Sequence, residues 1–558
     1  MAKTIPQLTD ATTVNAADEL IIQQGGITKR ATGAELAKGL NTINESISVK
    51  DYGAVGDGAT NDIAAFVAAA DTGKHVCVPS GTYTITIANQ TQATSIMAMM
   101  NRLHLFCTRL TVNFPAGVFS FSTRTEFKVT NGDRLVVQGA AATVLTYSSL
   151  GTVTSNGSQD HDVTIAVTDA SAVAANDYIL LRPNTSAGIL AGDHTGPFGG
   201  IWKVTGVSGN NITIKNTAFL ASLSGATISC PTGGVRIVKM NTVLLYTGAD
   251  SIGLYITCQM GADSGNTNGF KNLVIVGSWS VGQATSSNAG VYLEYGASVN
   301  LSGDFGISSF SGNGIYAIYA GVISATSVAA SSNGTNGFYA LNGSTFQLVR
   351  AQATGNGAQG VASAGNSVVA ASQSAASGNG GSGYFSSFQS MVVSEHGDAR
   401  YNDDDGFSSR DNGYIHAESA RAFNNGSRGV NTLRGGHVDF TSGTTGSNTL
   451  GALVETAVST RIAGSTNYSV PAARLRVSKA INFGSISAGT VATDTITATG
   501  ALIGDVVAIG WNGADVAGVI ITGRVSANDT VTIYAANVTS GSITVGNRTY
   551  YAVVLNRE

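Results

Sequence analysis

A glycine followed by a branched or aromatic residue returns at a fixed interval through the middle of this chain: Gly314-Ile315, Gly337-Phe338, Gly360-Val361, Gly383-Tyr384, Gly406-Phe407 and Gly429-Val430, each 23 residues after the last. An asparagine keeps the same interval at Asn333, Asn356, Asn379, Asn402, Asn425 and Asn448. Small residues hold a third column at Gly321, Ser344, Ser367, Ser390, Gly413 and Gly436, and alanines a fourth at Ala330, Ala353, Ala376, Ala399 and Ala422. Large apolar residues alternate with outward positions, as in the column Ile323, Phe346, Val369, Val392, Ile415 and Val438. A period of this length with strand-like alternation predicts a β-solenoid in which one repeat is one coil. Equivalent positions then stack roughly 4.8 Å apart, and the asparagines are expected to bond to one another as a ladder at a turn.

Composition supports an all-β chain: 70 glycines, only 7 prolines and 7% aromatics describe short strands joined by tight turns. A formal net charge of -4, with no run of Lys or Arg, gives nothing for a polyanion to bind, so no nucleic-acid partner is expected. No apolar stretch is long enough to cross a bilayer and the start "MAKTIPQLTD" has no hydrophobic core, so no membrane insertion is expected. Cys77, Cys107, Cys230 and Cys258 are widely spaced and read as ordinary buried thiols; no metal site, nucleotide motif or cofactor is expected.

Near the start, "VKDYGAVGDGATNDIAAFVAAA" (49–70) followed by "HVCVPSGTYTIT" predicts a Gly-rich turn, a helix capped at Thr60 or Asn61, a strand and a Pro-Ser-Gly turn. This stretch resembles the opening motif of the pectate-lyase-like superfamily, in which such a helix plugs the first coil of a right-handed parallel β-helix. Asp57 and Asp62 fall at turn and cap positions of that motif. Ahead of it, "IPQLTDATTVNAADELIIQQGGITKRATGAELAKGL" is similar to the virion-attachment segments of bacteriophage tail fibres and tailspikes. The arrangement as a whole resembles a phage tailspike. That resemblance implies a homotrimer, made in the host cytoplasm and carried on the virion, joined to the phage tail or baseplate through its N-terminal segment. It also implies a partner at the host cell surface, a bacterial surface polysaccharide (capsule or O-antigen) that the spike binds and often cleaves.

The expected organisation is an attachment segment (1–46), a capping helix with the first coils (47–157) and an inserted β subdomain (158–245). The β-helix proper (246–461), a linker (462–476) and a C-terminal β-sandwich-like domain for trimerisation or glycan binding (477–558) follow.

Charge is spread unevenly over the coils. Residues 301–390 contain two charged side chains, Asp304 and Arg350, whereas residues 391–440 contain thirteen, together with His396, His416 and His437. The 23-residue register stacks Glu395 on Glu418, His416 on Asp439 and Tyr414 on His437, all outward, with Met391 beside them. Asp398 falls on Arg421 and Asp405 on Arg428, so those pairs are expected to neutralise each other. Glu395 over Glu418 is different, because like charges directly opposite are destabilising unless a cation such as His416 or His396 intervenes.

Glu395, Glu418 and Asp439 are therefore the candidate acid, base or nucleophile of a glycoside hydrolase, with Tyr414, His416, His437, Arg410 and Arg434 as candidate substrate-binding groups. The carboxylate spacing fits a retaining geometry for Glu395/Glu418 and an inverting one for Glu418/Asp439, and the sequence does not choose between them. A polysaccharide lyase, with His416 or Tyr414 as base and an arginine neutralising a uronate, is the first alternative. A binding or structural spike without chemistry is the second. The next choice of site is Trp202 with Asp193 and His194. Tyr316, Tyr339 and Phe385 in one outward column, with Ile318 and Leu341 nearby, predict an exposed apolar stripe suited to a trimer.

Overall fold

The computed structural model describes residues 19–24, 27–32, 46–155, 161–183, 199–216, 235–248, 252–260, 268–278, 288–449, 453–455, 462–463, 474–513 and 516–555. The attachment segment and the linker lie largely outside these, apart from an antiparallel hairpin, Glu19–Gln24 with Ile27–Thr32.

The repeat folds as expected, into the coils of a right-handed parallel β-helix. Three parallel sheets form its sides. Sheet A, 14-stranded, runs from Asp57–Asn61 to Ile462–Ala463; sheet B, 10-stranded, from Gly117–Phe121 to Thr444–Gly446; sheet C, 10-stranded, from Thr125–Phe127 to Leu453–Glu455. Pairing from one coil to the next keeps the 23-residue step, for example Ile315 to Phe338 to Val361 on sheet C and Val369 to Val392 to Ile415 on sheet A. The inward columns Ile323 to Val438, Ala330 to Ala422 and Ile315 to Val430 are fully buried. Alanine on sheet B keeps the cross-section narrow, while each large side chain on the other two adds about 1.5–3 kcal/mol of burial.

The asparagine ladder sits at the turn before sheet C. Asn356 Oδ1 accepts from the backbone N–H (3.2 Å) and Nδ2 (2.9 Å) of Asn333, while its own Nδ2 donates to Asn379 Oδ1 (3.0 Å) and to the Ala330 carbonyl (3.1 Å). The same bonds recur down to Asn448. A buried amide whose donors and acceptor are all met contributes stability; one left unmet would cost about 1–3 kcal/mol. The glycine column follows from this ladder. A Cβ at Gly383 would come within 2.9 Å of Asn402 Nδ2 and 2.8 Å of the Gly406 carbonyl, so the constraint is space. The serine column works similarly, Ser344 Oγ accepting from Gly321 N–H and Ser367 Oγ from Ser344 N–H.

Corners between sheets are taken in the left-handed region even by non-glycine residues. Ser327, Arg350, Gln373, His396, Ser419 and Ser442 form one such column, with φ between 53° and 59°. His396 thus holds a corner of the scaffold.

The plug helix spans Ile63–Asp71, with Phe66 edge-on to Tyr83 at 5.8 Å inside the first coil. Its N-cap is Asp62, one or two residues after the expected cap; the Asp62 carboxylate gives the helix no cap bond, because it is taken up by Val55 N–H (2.7 Å) and Gly56 N–H (3.2 Å) of the preceding turn. Asn61 Oδ1 accepts the Ile63 N–H instead (3.3 Å). Asp57 closes its own turn onto Ala59 and Thr60.

The inserted subdomain is a seven-stranded antiparallel sheet whose strands run from Thr143–Leu145 to Val235–Met240, so it starts ahead of the boundary at 158. Thr242–Tyr246 is already a solenoid strand, paired with Gly117–Phe121. The insertion lies on the outer face of sheet B. Leu180, Ile201, Val238 and Met240 pack against Val243, Val274 and Ala329, and Arg182 and Arg236 both reach Asp304, at 2.7 and 3.4 Å. Trp202 is buried in the subdomain's own core. The other residues of the second-choice site, Asp193 and His194, lie outside the described residues. Cys107 is buried while Cys77 and Cys258 are half-buried, and burial pushes the thiols of Cys107 and Cys258 up to about 11; Cys230 also lies outside the described residues. At the C-terminus, strands from Arg474–Ile481 to Arg548–Leu555 form three small antiparallel sheets.

The apolar stripe on sheet C is not laid open. Tyr316 and Ile318 are buried within the single chain, and Tyr339, Leu341 and Phe385 are half-buried.

Candidate functional site

On sheet A the strands Met391–Val393, Tyr414–His416 and His437–Asp439 lie side by side. Val392, Ile415 and Val438 point into the core, so Tyr414, His416, His437 and Asp439 face outward. Glu395 and Glu418 are not on these strands. Each occupies the tight turn that follows, closed by Gly397 N–H to the Ser394 carbonyl in one coil and by Ala420 N–H to the Ala417 carbonyl in the next. Turn and strand together bring both glutamates to one edge of the sheet.

His416 ties the group together. Its Nδ1 lies 3.2 Å from Asp439 Oδ2, and its Nε2 lies 3.7 Å from Glu395 Oε1 and 3.8 Å from Glu418 Oε2. The group that intervenes between the stacked glutamates is therefore His416, with His396 serving the corner. Asp439 is itself fixed, because its Oδ1 accepts from the Thr441 hydroxyl (2.6 Å) and N–H (3.2 Å). Partial burial works to raise the Asp439 carboxyl, but the Thr441 bonds and His416 outweigh it and hold it below the usual carboxylate range. Glu395 and Glu418 remain about half exposed, 48% and 52%, whereas the His416 side chain is 26% exposed.

Tyr414 stacks on His437 with ring centroids 5.0 Å apart and planes 6° off parallel. One face of Tyr414 is thereby used. Arg410 and Arg434 form a separate group at the corner where sheet C turns into sheet A, at the other end of the sheet A strands from the glutamates. Arg434 grips Asp411 with Nε (2.7 Å) and Nη2 (3.1 Å), and Arg410 lies 4.7 Å above the Phe385 ring with its Nε 3.8 Å from Asp411. Both arginines thus have a carboxylate partner before any ligand arrives.

The expected neutralising pairs are altered in detail. Asp398 does sit in register with Arg421, but its ion pair runs along its own strand to Arg400 Nε at 2.7 Å. Asp405 accepts from Arg428 N–H (3.1 Å) and Asn431 Nδ2 (2.7 Å), with the Arg428 guanidinium at 4.0 Å; burial raises its carboxyl.

A cleft of about 970 Å³ lies elsewhere, between the helix Gln90–Met99 and the first coils of sheet C, lined by Arg102, Arg124, Glu126, Tyr255, Tyr292 and Glu294 among others. Arg124 binds Glu126 through Nε (3.0 Å) and Nη2 (2.7 Å), which with Lys128 holds that carboxyl below the usual range. The hydroxyls of Tyr255 and Tyr292 both donate to Glu294; burial and Glu294 push the Tyr292 phenol up to about 12. These residues escape the repeat pattern because paired strands here are not 23 apart: Thr125 pairs with Leu254 across the whole insertion, and Leu254 with Val291. The available signal was local, the acidic residues in "RTEF" and "YLEY" among aromatics.

A family model described as rhamnogalacturonase A/epimerase, pectate lyase-like, matches residues 46–98, the first coil and its plug. Among solved structures, the Pseudomonas phage phi297 tailspike gp61 matches at 14% identity over 92% of this chain and 100% of that one (TM-score 0.29). The gp54 tailspike of Acinetobacter baumannii bacteriophage AP22, solved with a capsular saccharide, matches at 12% identity over 98% and 100% (TM-score 0.27). The tailspike of E. coli bacteriophage HK620, solved with a pentasaccharide, matches at 10% identity over 97% and 98% (TM-score 0.29). No curated protein matches the chain.

Proposed function

We propose that the chain is a phage tailspike that binds bacterial surface polysaccharide and depolymerises it by endo-glycosidic hydrolysis at the sheet A cluster. The observation that carries this reading is the placement of His416 Nε2 between Glu395 and Glu418 while Asp439 holds Nδ1. One glutamic acid gives its proton to the glycosidic oxygen, breaking the C–O bond. The other carboxylate takes a proton from the water, or attacks the anomeric carbon first, and water completes the exchange. His416 lies within reach of both and can return the proton from the base to the acid.

Hydrolysis is favoured over elimination by the arginines. A lyase needs a cation to neutralise the uronate carboxyl, and Arg410 and Arg434 both face Asp411, at the other end of the sheet A strands. The test is to incubate the protein with purified capsule or O-antigen and follow reducing ends together with unsaturated uronate absorbance. Reducing ends without absorbance support a hydrolase, both together a lyase, and neither a spike that only binds.

A further inference from the structure

We infer that the cleft between the helix Gln90–Met99 and sheet C is a second carbohydrate site, one that holds the polymer without cutting it. Two observations meet there. The lining carries two arginines, Arg102 and Arg124, and two glutamates, Glu126 and Glu294, with Lys128 ion-paired to Glu126 at 3.3 Å, so both signs of charge face one another across it and it suits a polar ligand rich in hydrogen-bonding groups. Immediately beside Glu294, Tyr295 and Tyr319 stand on the sheet C to sheet A corner as a parallel stack, centroids 5.7 Å apart and planes 12° off.

That stack is exposed: Tyr295 at 72% and Tyr319 at 49%. Both residues also sit in the left-handed region, φ 56° each, where the next two coils place Asn342 and Gly365. Tyrosine is a costly choice for such a corner, and the rings bury little in exchange. A flat aromatic surface next to fixed carboxylates is what a pyranose needs, since its C–H face packs on a ring while its hydroxyls donate to acceptors. Glu294, braced by Tyr255 and Tyr292, and Glu126, braced by Arg124, are such acceptors, already oriented before a sugar arrives.

The ligand class is therefore an oligosaccharide. The distance from the sheet A cluster makes this a separate site, since Glu126 and Glu395 belong to coils many steps apart along the solenoid axis.

This inference rests on the reading that the chain handles polysaccharide, and the experiment keeps the two apart. Wild-type protein is screened on an array of bacterial capsular and O-antigen polysaccharides, and oligosaccharide from the bound polymer is titrated by calorimetry. Variants are Tyr295→Asn with Tyr319→Asn, which suit the left-handed corner, Glu294→Gln, and His416→Ala. The cleft variants are expected to weaken binding at least tenfold and to raise KM with kcat unchanged, while His416→Ala loses cleavage and still binds oligosaccharide at the cleft. If the cleft variants bind as the wild type does, the inference falls and the hydrolase reading stands. If the wild type cuts nothing but the cleft variants lose binding, the inference stands and the hydrolase reading falls. Absence of binding to every polysaccharide overturns both.

Discussion

The imidazole of His416 meets the carboxylate of Asp439 one coil away, Nδ1 to Oδ2 at 3.2 Å, and Thr441 grips the other carboxylate oxygen. An acceptor at Nδ1 fixes the ring's tautomer and aims Nε2 at the glutamates. Asp439→Asn keeps the shape but offers an amide in place of one acceptor. It is expected to lower kcat on polysaccharide by about 10²–10⁴, with KM little changed, as loss of a tautomer-fixing carboxylate does elsewhere. Steady-state kinetics on the two proteins check this.

Asp439 also ties stability to pH. Its folded carboxyl is held below the unfolded value of about 3.9, so its contribution is complete above that value and is lost as pH falls through the folded one. Thr441→Val removes the 2.6 Å hydroxyl bond and should cost about 1 kcal/mol at neutral pH. Urea unfolding at pH 7 and at pH 3 should show that the difference from wild type shrinks in acid.

The ladder gives the largest effect on folding. Asn379→Ala strips partners from Asn356, Asn402 and the Ala353 carbonyl, all buried, and is expected to destabilise by about 3 kcal/mol or more. Gly383→Ala forces a Cβ to 2.9 Å from Asn402 Nδ2 and should cost about 1–3 kcal/mol. Unfolding midpoints in denaturant measure both.

The ladder and the coil were legible because a strict period leaves one way to stack the residues, and the same arithmetic placed His416 on Asp439 and Tyr414 on His437. It failed where direction mattered more than register. Asp398 stacks on Arg421, yet its ion pair runs to Arg400, two residues along the same face of its own strand. Glu418 lies past the end of its strand, in a turn whose backbone direction a two-residue alternation does not describe. The strand pairing of the first coils was hidden, because the insertion separates Thr125 from its partner Leu254 and removes the interval that made the later coils readable.

The C-terminal domain carries an outward apolar face built by register. Ala508 lies beside Val553, and Tyr551 beside Gly510; Val506 and Tyr551 are exposed. A chain that assembles through this face is expected to run as a trimer in light scattering, and Val506→Asp with Tyr551→Asp to run as a monomer.

In the proposed function the glutamates flanking His416 cut the polymer. The most direct measurement is the release of reducing ends from a polysaccharide that the wild type cleaves, compared with Glu395→Gln and Glu418→Gln at matched concentration. Loss of at least 10²-fold in both variants, with oligosaccharide binding retained, is the predicted result. Wild-type rates in both would contradict the claim and move the chemistry away from sheet A.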